Sequence, residues 1–366
     1  MKRQLSSVVA VTAILLACVS FGLMGSDASG ATGTPATPLP ASQVQVTKDV
    51  VFTDIGGTRL TMDVFAPRES APNRPAVVLI HGGAWGTGNA HDLSTEGKLI
   101  ARQGWVAFSI NYRLADQTST PWPDELTDVQ RGVRWVGANA STYGADPQKL
   151  TVMGFSAGGH LAAMVGAIGT AIDGTGGPLS DPNPPVKVVA VAAWSPPSRL
   201  AGLVPVEGGD PPDCADNKQC AQFWRLPLVK NFLGCLPDAC PDKYTQASSN
   251  TRVTAKATPT WFANATSEVT GWPQAEAYDK ALTTAGVDHK FDVVQGSQHA
   301  DQYRAKVWND MMPWLAAKVG APEPPPVSFS ARNILLSPLV VISVVAGLAI
   351  LITLLAIALR DDEGEL

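Results

Sequence analysis

The chain has 366 residues, is 45% hydrophobic and 16% charged, and carries a formal net charge of −5 at pH 7. A mildly acidic chain without a long basic run is not typical of nucleic-acid-binding proteins, so we expect no nucleic-acid partner. The length suits one large domain with terminal segments that do not belong to it.

Residues 1–30 have the order of a secretory signal peptide. A basic N-terminus precedes an apolar run to about Met24 and a stretch of small residues, and we predict cleavage between Gly25 and Ala31. Two alternatives remain open. The residues before Cys18 resemble a lipoprotein signal, and the apolar run could also stay as an uncleaved anchor helix.

Residues 31–43 are rich in Ala, Thr, Gly and Pro, which predicts a disordered linker. Residues 44–319 then alternate apolar strands with helical stretches. This alternation predicts an α/β fold, with a mostly parallel central sheet and helices on both faces. The predicted strands cover residues 44–52, 60–65, 76–80, 106–110, 150–153, 186–194, 260–264 and 291–294, and the predicted helices cover 93–102, 124–139, 157–168, 273–285 and 301–318. A Gly-Gly loop joins the first two strands, so we expect the sheet to begin with an antiparallel pair.

The segment His81-Gly82-Gly83-Ala84-Trp85 directly follows the third predicted strand. Glycines there can bring bare backbone N–H groups close to a substrate carbonyl oxygen, where negative charge develops during acyl transfer. We therefore assign Gly82 and Gly83 to an oxyanion hole, against the alternative of an ordinary Gly-rich loop.

The segment Gly154-Phe155-Ser156-Ala157-Gly158 lies between the predicted strand 150–153 and an Ala-rich helix. A Gly-x-Ser-x-Gly turn between a strand and a helix is typical of a nucleophile elbow, which lifts the serine hydroxyl out of the sheet. The two glycines remove side chains that would clash in so tight a turn. We predict that Ser156 is the nucleophile and that the Ala157 N–H completes the oxyanion hole.

Four cysteines lie close together in the segment between the sixth and seventh predicted strands. In a secreted domain, such a cluster indicates two disulfides rather than a metal site, and three pairings are possible. We favour the local pairs because each closes a small loop. A zinc site is the rival, but no histidine accompanies the cysteines. The residues are Cys214, Cys220, Cys235 and Cys240.

The last two strands are followed by an acid and a base. Glu268 follows the strand 260–264, and His299 follows the strand 291–294. A serine hydroxyl needs a base to take its proton, and a carboxylate holds that imidazole in the right tautomer. We predict that Ser156, Glu268 and His299 form a catalytic triad in the chain order that α/β-hydrolases use. Asp279, Asp288, Asp292 and Asp301 are the competing acids, and a solvated loop glutamate is the alternative for Glu268.

The C-terminal part predicts a membrane anchor. Residues 320–333 are Pro-rich and are predicted to form a stiff extended spacer. Residues 334–359 are apolar and long enough to cross a bilayer as one helix, and residues 360–366 form a short acidic tail. With a cleaved signal, we expect a single-pass cell-membrane protein with its catalytic domain outside and its tail in the cytoplasm.

Together these segments resemble α/β-hydrolase carboxylesterases of the hormone-sensitive-lipase and BD-FAE type, from about Val51 to Leu315. Further segments that carry the resemblance are 111–115, 121–123 with Asp128 and Trp135, 232–234 and 244–248. The chain departs from the family pattern at Ala84, where a third glycine is common, and at Glu268, where Asp is usual.

The resemblance implies hydrolysis of a small ester through an acyl-serine intermediate, without a metal or organic cofactor. We further expect residues 198–244 to form a cap-like insertion that shapes the substrate pocket. Two other functions remain open: amide or formamide hydrolysis, as in kynurenine-formamidase-like or peptidase relatives, and a non-catalytic surface-binding module. The intact Ser156, His299 and Glu268 argue against the binding module.

Overall fold

The computed structural model describes residues 37–115, 122–206, 209–214 and 216–329. The predicted signal peptide, the predicted membrane span 334–359 and the predicted tail lie outside the described residues. Within the described ranges, no helix is long and apolar enough to cross a bilayer.

Eight strands form one mixed sheet in the order β1-β2-β4-β3-β5-β6-β7-β8. The strands are β1 (Val44–Ile55), β2 (Thr58–Pro67), β3 (Arg74–Ile80), β4 (Val106–Ile110), β5 (Ala145–Phe155), β6 (Ala190–Trp194), β7 (Thr260–Ala265) and β8 (His289–Val294). β2 pairs antiparallel with both β1 and β4, and all other pairs are parallel. The predicted antiparallel start and mostly parallel centre are therefore confirmed.

Helices cover both faces of this sheet because successive strand residues point to opposite sides. In β3, Val78 and Ile80 join one apolar cluster, while Val77 and Leu79 join the other. The helices are α1 (Ser94–Arg102), α2 (Asp124–Asn139), α3 (Ala157–Ile168), α4 (Lys218–Trp224), α5 (Leu228–Leu233), α6 (Pro241–Ala247), α7 (Ser249–Arg252), α8 (Trp272–Ala285) and α9 (Arg304–Lys318). The first cluster contains α2, α3 and α8 residues, and the second contains those of α1 and α9.

Four short helices, α4 to α7, lie between β6 and β7, where a cap-like insertion was predicted. Two disulfides, Cys214–Cys220 and Cys235–Cys240, cross-link this segment. The two local pairings favoured from the sequence are therefore confirmed.

The predicted disordered linker is wrong for its last residues. The Leu39 N–H donates to the Arg102 carbonyl at 2.7 Å, and the Arg102 side chain donates back to the Leu39 carbonyl at 2.7 Å. Residues Ala41–Gln43 then form one 3₁₀ turn that leads into β1. The composition of the segment did not reveal that α1 offers hydrogen-bond partners to its backbone. Residues 31–36 lie outside the described residues.

The Pro-rich segment after α9 also packs on the domain, although a free-standing spacer was predicted. The Gln103 side chain donates to the Pro325 carbonyl at 2.7 Å. Asn309 exchanges two hydrogen bonds with the Val327 backbone, at 2.9 and 3.0 Å, and Val327 is buried. Packing this segment costs little backbone entropy because prolines already restrict the unfolded chain. The described part of the spacer thus packs against the C-terminal end of α1 and against α9.

Candidate active site

The Gly-x-Ser-x-Gly segment forms a tight turn between β5 and α3, where a nucleophile elbow was predicted. Ser156 joins β5 to α3 with φ 55° and ψ −118°, a strained conformation for a non-glycine residue. A Cβ added to Gly154 would lie 2.0 Å from the Gly158 carbonyl oxygen, and one on Gly158 would lie 2.2 Å from the Ile80 carbonyl oxygen. Only glycine therefore permits β3, β5 and α3 to meet this closely. The N-terminus of α3, with the Ala157 N–H, lies beside the serine.

The predicted oxyanion loop lies against the elbow. A Cβ on Gly82 would approach the Cβ of Ser156 to 3.2 Å, so the Gly82 backbone is directly beside the nucleophile. Gly83, Ala84 and Trp85 follow with φ values of 113°, 49° and 62°. This run of left-handed residues turns the chain sharply at the end of β3, and the Gly83 carbonyl accepts hydrogen bonds from residues 86 and 87. The structure thus brings Gly82, Gly83 and the serine together.

His81, at the start of this loop, is buried and contacts the loop backbone. Its ring stacks on Tyr112 with centroids 4.3 Å apart, and its Nδ1 lies 2.7 Å from the Gly82 carbonyl oxygen. Burial lowers the pKa of His81 to about 4, against a smaller opposing effect of the Gly82 contact. The imidazole is therefore neutral at pH 7. Because the Gly82 carbonyl can only accept, the ring proton of His81 lies on Nδ1. The Tyr112 hydroxyl also donates to the His81 carbonyl at 2.9 Å.

His160 links the oxyanion loop to the insertion. The indole N–H of Trp85 donates to His160 Nδ1 at 3.1 Å, which places the imidazole proton on Nε2, 2.7 Å from the Ala247 carbonyl oxygen. Burial lowers the pKa of His160 to about 4. Phe232 of the insertion stacks on Trp85 with centroids 4.5 Å apart. Both ring nitrogens of the buried His160 are therefore hydrogen-bonded within the fold.

The predicted acid and base are in direct contact. His299 Nδ1 forms a hydrogen bond with Glu268 Oε2, and Glu268 is completely buried whereas the His299 side chain is 21% exposed. The Ala265 N–H donates to Glu268 Oε1 at 2.6 Å. A carboxylate on Nδ1 leaves Nε2 as the basic nitrogen, which is the arrangement that general-base catalysis requires.

The competing acids have other partners. Asp279 pairs with His289 at 3.2 Å, and Asp288 forms an ion pair with Lys318. Asp292 accepts a hydrogen bond from the Trp261 indole at 2.8 Å. Asp301 lies 3.3 Å from the Arg304 guanidinium, on the turn that precedes α9. Of the acids considered, Glu268 is therefore the one bonded to His299.

Two hydroxyl groups at this site were not predicted from the sequence. Ser195 donates to Glu268 Oε1 at 2.9 Å, and its oxygen lies 2.8 Å from the Tyr303 hydroxyl. Burial, and secondarily the Glu268 charge, raises the pKa of Tyr303 well above its ordinary value, so the phenol stays protonated. One signal was available for Ser195, because it directly follows the buried strand β6, where functional residues of parallel sheets are placed.

Within the described ranges, one group of side chains has the composition of a metal site. Asp49, Asp63 and His91 place one potential ligand atom each within 4.8 Å of one another. These groups already pair with each other, since His91 Nδ1 lies 2.5 Å from Asp63 and the Asp49 N–H donates to Asp63. The cluster lies on β1, β2 and the turn before α1, and none of its members belongs to the triad.

The BD-FAE family model matches residues 62–270, which is more than half of the chain. The chain is 35% identical over 156 residues to a probable carboxylic ester hydrolase, LipM, of Mycobacterium tuberculosis, covering 40% of this chain and 35% of that protein. It is 33% identical over 143 residues to the carboxylesterase NlhH of the same species, covering 38% and 43%. The matched region thus spans less than half of each of these relatives.

A solved structure supports the fold. A truncated carbohydrate esterase from gut microbiota superimposes with a TM-score of 0.63 at 20% identity, covering 78% of this chain and all of that one. At this identity the likeness concerns the fold alone. The family match, the sheet order and the strand-end site together show that the chain belongs to the BD-FAE family and has the α/β-hydrolase fold.

Proposed function

We propose that this protein is a serine carboxylesterase that hydrolyses short-acyl esters through an acyl-serine intermediate. The observation that carries the proposal is the hydrogen bond between His299 Nδ1 and the buried Glu268 carboxylate. It lies at the same edge of the sheet as the strained Ser156 turn, because β5, β7 and β8 are parallel. A nucleophile, a base and an acid that orients the base are the groups that acyl transfer needs.

In the proposed reaction, His299 Nε2 takes the proton of Ser156 Oγ while that oxygen attacks the ester carbonyl carbon. The N–H groups of Gly82, Gly83 and Ala157 stabilise the oxyanion that forms. The tetrahedral intermediate collapses, and protonated His299 gives its proton to the leaving alkoxide. Water then repeats the sequence on the acyl-serine, releasing the carboxylic acid and restoring the serine. Each step balances without a metal ion or organic cofactor.

The insertion supports a preference for small acyl groups. A lipase lid must move away from the site, whereas this insertion packs its aromatic groups on the oxyanion loop and is stiffened internally by two disulfides. The Trp224 ring lies 6.2 Å and the Phe232 ring 4.5 Å from the Trp85 ring. Fixed aromatic groups next to the oxyanion loop suit a pocket of constant, limited size.

The hydropathy of residues 334–359 further leads us to propose that the enzyme is tethered to the membrane and faces the outside of the cell. If so, alkaline carbonate washing leaves the full chain in the membrane fraction and releases a variant that ends at Phe329. Recovery of both proteins in the wash would contradict tethering without affecting the proposed chemistry.

The function is tested by the hydrolysis of p-nitrophenyl esters from acetyl to palmitoyl. We expect the full chain to act best on the short esters and Ser156→Ala to lose all measurable activity. Labelling with a fluorophosphonate probe should be lost in the same variant. A folded wild-type protein that cleaves anilides or formamides but no ester would favour the amidase alternative, and one that neither cleaves nor labels would favour a binding module.

The base has a matched control on the protein surface. His289 also pairs with a carboxylate, Asp279, but at the outer strand of the sheet. We expect His299→Gln to lower kcat by at least about a thousandfold and His289→Gln to leave it within twofold. Equal effects of the two substitutions would contradict the role given to His299.

A further inference from the structure

The dipeptide Trp194-Ser195, at the end of β6, forms hydrogen bonds with Ser156, with Glu268 and with the residue that follows His299. The Ser156 N–H donates to the Trp194 carbonyl at 2.8 Å. Ser195 Oγ donates to Glu268 at 2.9 Å and accepts from the N–H of Ala300, the neighbour of His299, at 2.9 Å. β6 lies between β5 and β7, so residues at its end can contact both Ser156 and Glu268.

We propose that Ser195 is a positioning residue that fixes the Glu268 carboxylate and the His299 loop together, and that Tyr303 fixes the hydroxyl of Ser195. This inference rests on the proposed function and names residues that the triad alone does not include. Ser195 and Tyr303 are both fully buried, so water does not substitute for their hydrogen bonds.

The hydrogen bonds leave one direction for the Ser195 proton. The Ser195 oxygen accepts from the Ala300 N–H, and the Tyr303 hydroxyl lies 2.8 Å away as a second donor. Tyr303 also donates to the Ala263 carbonyl at 2.9 Å, whose oxygen has a second lone pair besides the one that accepts the Ser195 N–H, so the single Tyr303 proton is shared between that carbonyl and the Ser195 oxygen. An ionised Glu268 carboxylate can only accept, so Ser195 gives its own hydrogen to Glu268.

Glu268 depends on such donors because it is a buried carboxylate. Ser195 and the Ala265 N–H bind Oε1, and His299 binds Oε2. Removing one donor lets the long glutamate side chain rotate, which misaligns His299. The backbone of Ser195 has φ 48°, a left-handed conformation that a non-glycine residue adopts at a cost and that is typical of functional sites. Its surroundings therefore hold Ser195 in this orientation.

The test uses the full chain and the ester that wild type cleaves best. We expect Ser195→Ala to lower kcat by roughly 10- to 100-fold with KM within about twofold, since the lost hydrogen bond orients the base rather than the substrate. The acidic limb of the kcat/KM profile should move to higher pH, because a carboxylate with one donor fewer stabilises the imidazolium more strongly. A purely structural role would lower thermal stability without changing this limb.

Tyr303→Phe isolates the second part of the proposal, and Tyr278→Phe is its matched control. Tyr278 is equally buried, and its hydroxyl bonds Thr260 away from the triad. We expect Tyr303→Phe to lower kcat by about fivefold and Tyr278→Phe to leave it unchanged. The double variant Ser195→Ala/Tyr303→Phe should equal Ser195→Ala alone, because Tyr303 acts through Ser195.

Two results would overturn the inference. One is a Ser195→Ala enzyme with kcat within twofold of wild type and an unchanged pH profile. The other is a double variant in which the two losses multiply, which would show that Tyr303 acts independently of Ser195. The proposed function fails separately, since an enzyme inactive before any substitution would already contradict it.

Discussion

The two halves of the site are built from opposite kinds of interaction. On the oxyanion side, His81 and His160 are buried, and their pKa values are lowered to about 4, so both rings are neutral and pack against aromatic groups. On the acid side, His299 is partly exposed and bonded to the Glu268 carboxylate. The same residue type thus serves as a neutral scaffold in one half and as a candidate base in the other.

This difference has a chemical reason. An oxyanion hole needs rigid N–H donors without competing charges, and buried neutral rings hold a loop without introducing any. A general base needs a proton-accepting nitrogen near solvent and a charge that stabilises its protonated form. Substitutions of the acid-side residues should therefore change kcat, whereas those of the buried histidines His81 and His160 should change stability and its dependence on pH.

Among the substitutions that compare the two halves, the largest effect is expected at the acid. Glu268→Gln keeps the size of the side chain but removes the charge, and its amide N–H₂ can favour the wrong tautomer of His299. Loss of the acid's charge in a Ser-His-Asp triad costs about 10⁴-fold in kcat, and we expect a loss of roughly a thousandfold or more in ester hydrolysis.

The control for this substitution is Asp279→Asn, which removes the carboxylate that pairs with His289. It should leave kcat within twofold. A Glu268→Gln enzyme that retains a tenth of wild-type kcat would mean that another group orients His299.

Much of the site could be predicted from the sequence because its parts lie in the segments that follow apolar strands. Gly82, Ser156, Glu268 and His299 follow the ends of β3, β5, β7 and β8, so the local pattern indicated them. The Ser195–Tyr303 contact joins residues 108 positions apart, and no local pattern indicates it. Such contacts depend on how elements pack in three dimensions.

The two linker segments pack on the domain, which their composition did not predict. Composition predicted that residues 31–43 and the spacer from 320 stand free of the domain, yet Leu39 and Val327 bond to α1 and α9. Proline- and alanine-rich composition indicates that a segment forms no helix or strand. It does not tell whether side chains such as Asn309 satisfy the backbone of that segment, which is a tertiary property.

A second effect concerns pH and the oxyanion side. His81 and His160 take up protons only near pH 4 in the folded chain, whereas an unfolded histidine does so near 6.5. As the pH falls through this window, the unfolded state binds protons first, so the free energy of unfolding decreases. Each histidine contributes up to about 1.4 kcal/mol per pH unit, and this stability is fully present only above pH 6.5.

Urea unfolding at about pH 7 and about pH 5 measures this slope. His160→Gln removes one titrating group while its amide can still bond Trp85 and Ala247, so we expect a shallower slope than in wild type. Identical slopes would mean that His160 is protonated at the same pH in both states, contrary to its burial.

The smallest expected effect is a difference in kcat between variants that lack one or the other disulfide. Asn217, between Cys214 and Cys220, donates to the Glu268 carbonyl at 2.9 Å, so this loop supports the acid. Cys235–Cys240 follows the α5 helix that carries Phe232, whose stacking on Trp85 does not require the cross-link. Replacing either pair by serines should cost about 2 kcal/mol of stability.

Only loss of the first disulfide should also reduce kcat, by a few fold, because only that loop bonds directly to the backbone of the acid. Thermal unfolding and ester hydrolysis of the two double-serine variants test this, each serving as the control for the other. Equal kcat losses would mean that the insertion acts on the site as one rigid body. In that case the insertion would couple the acid side to the oxyanion side mechanically. The two sides would then differ only in the charge and burial of their histidines.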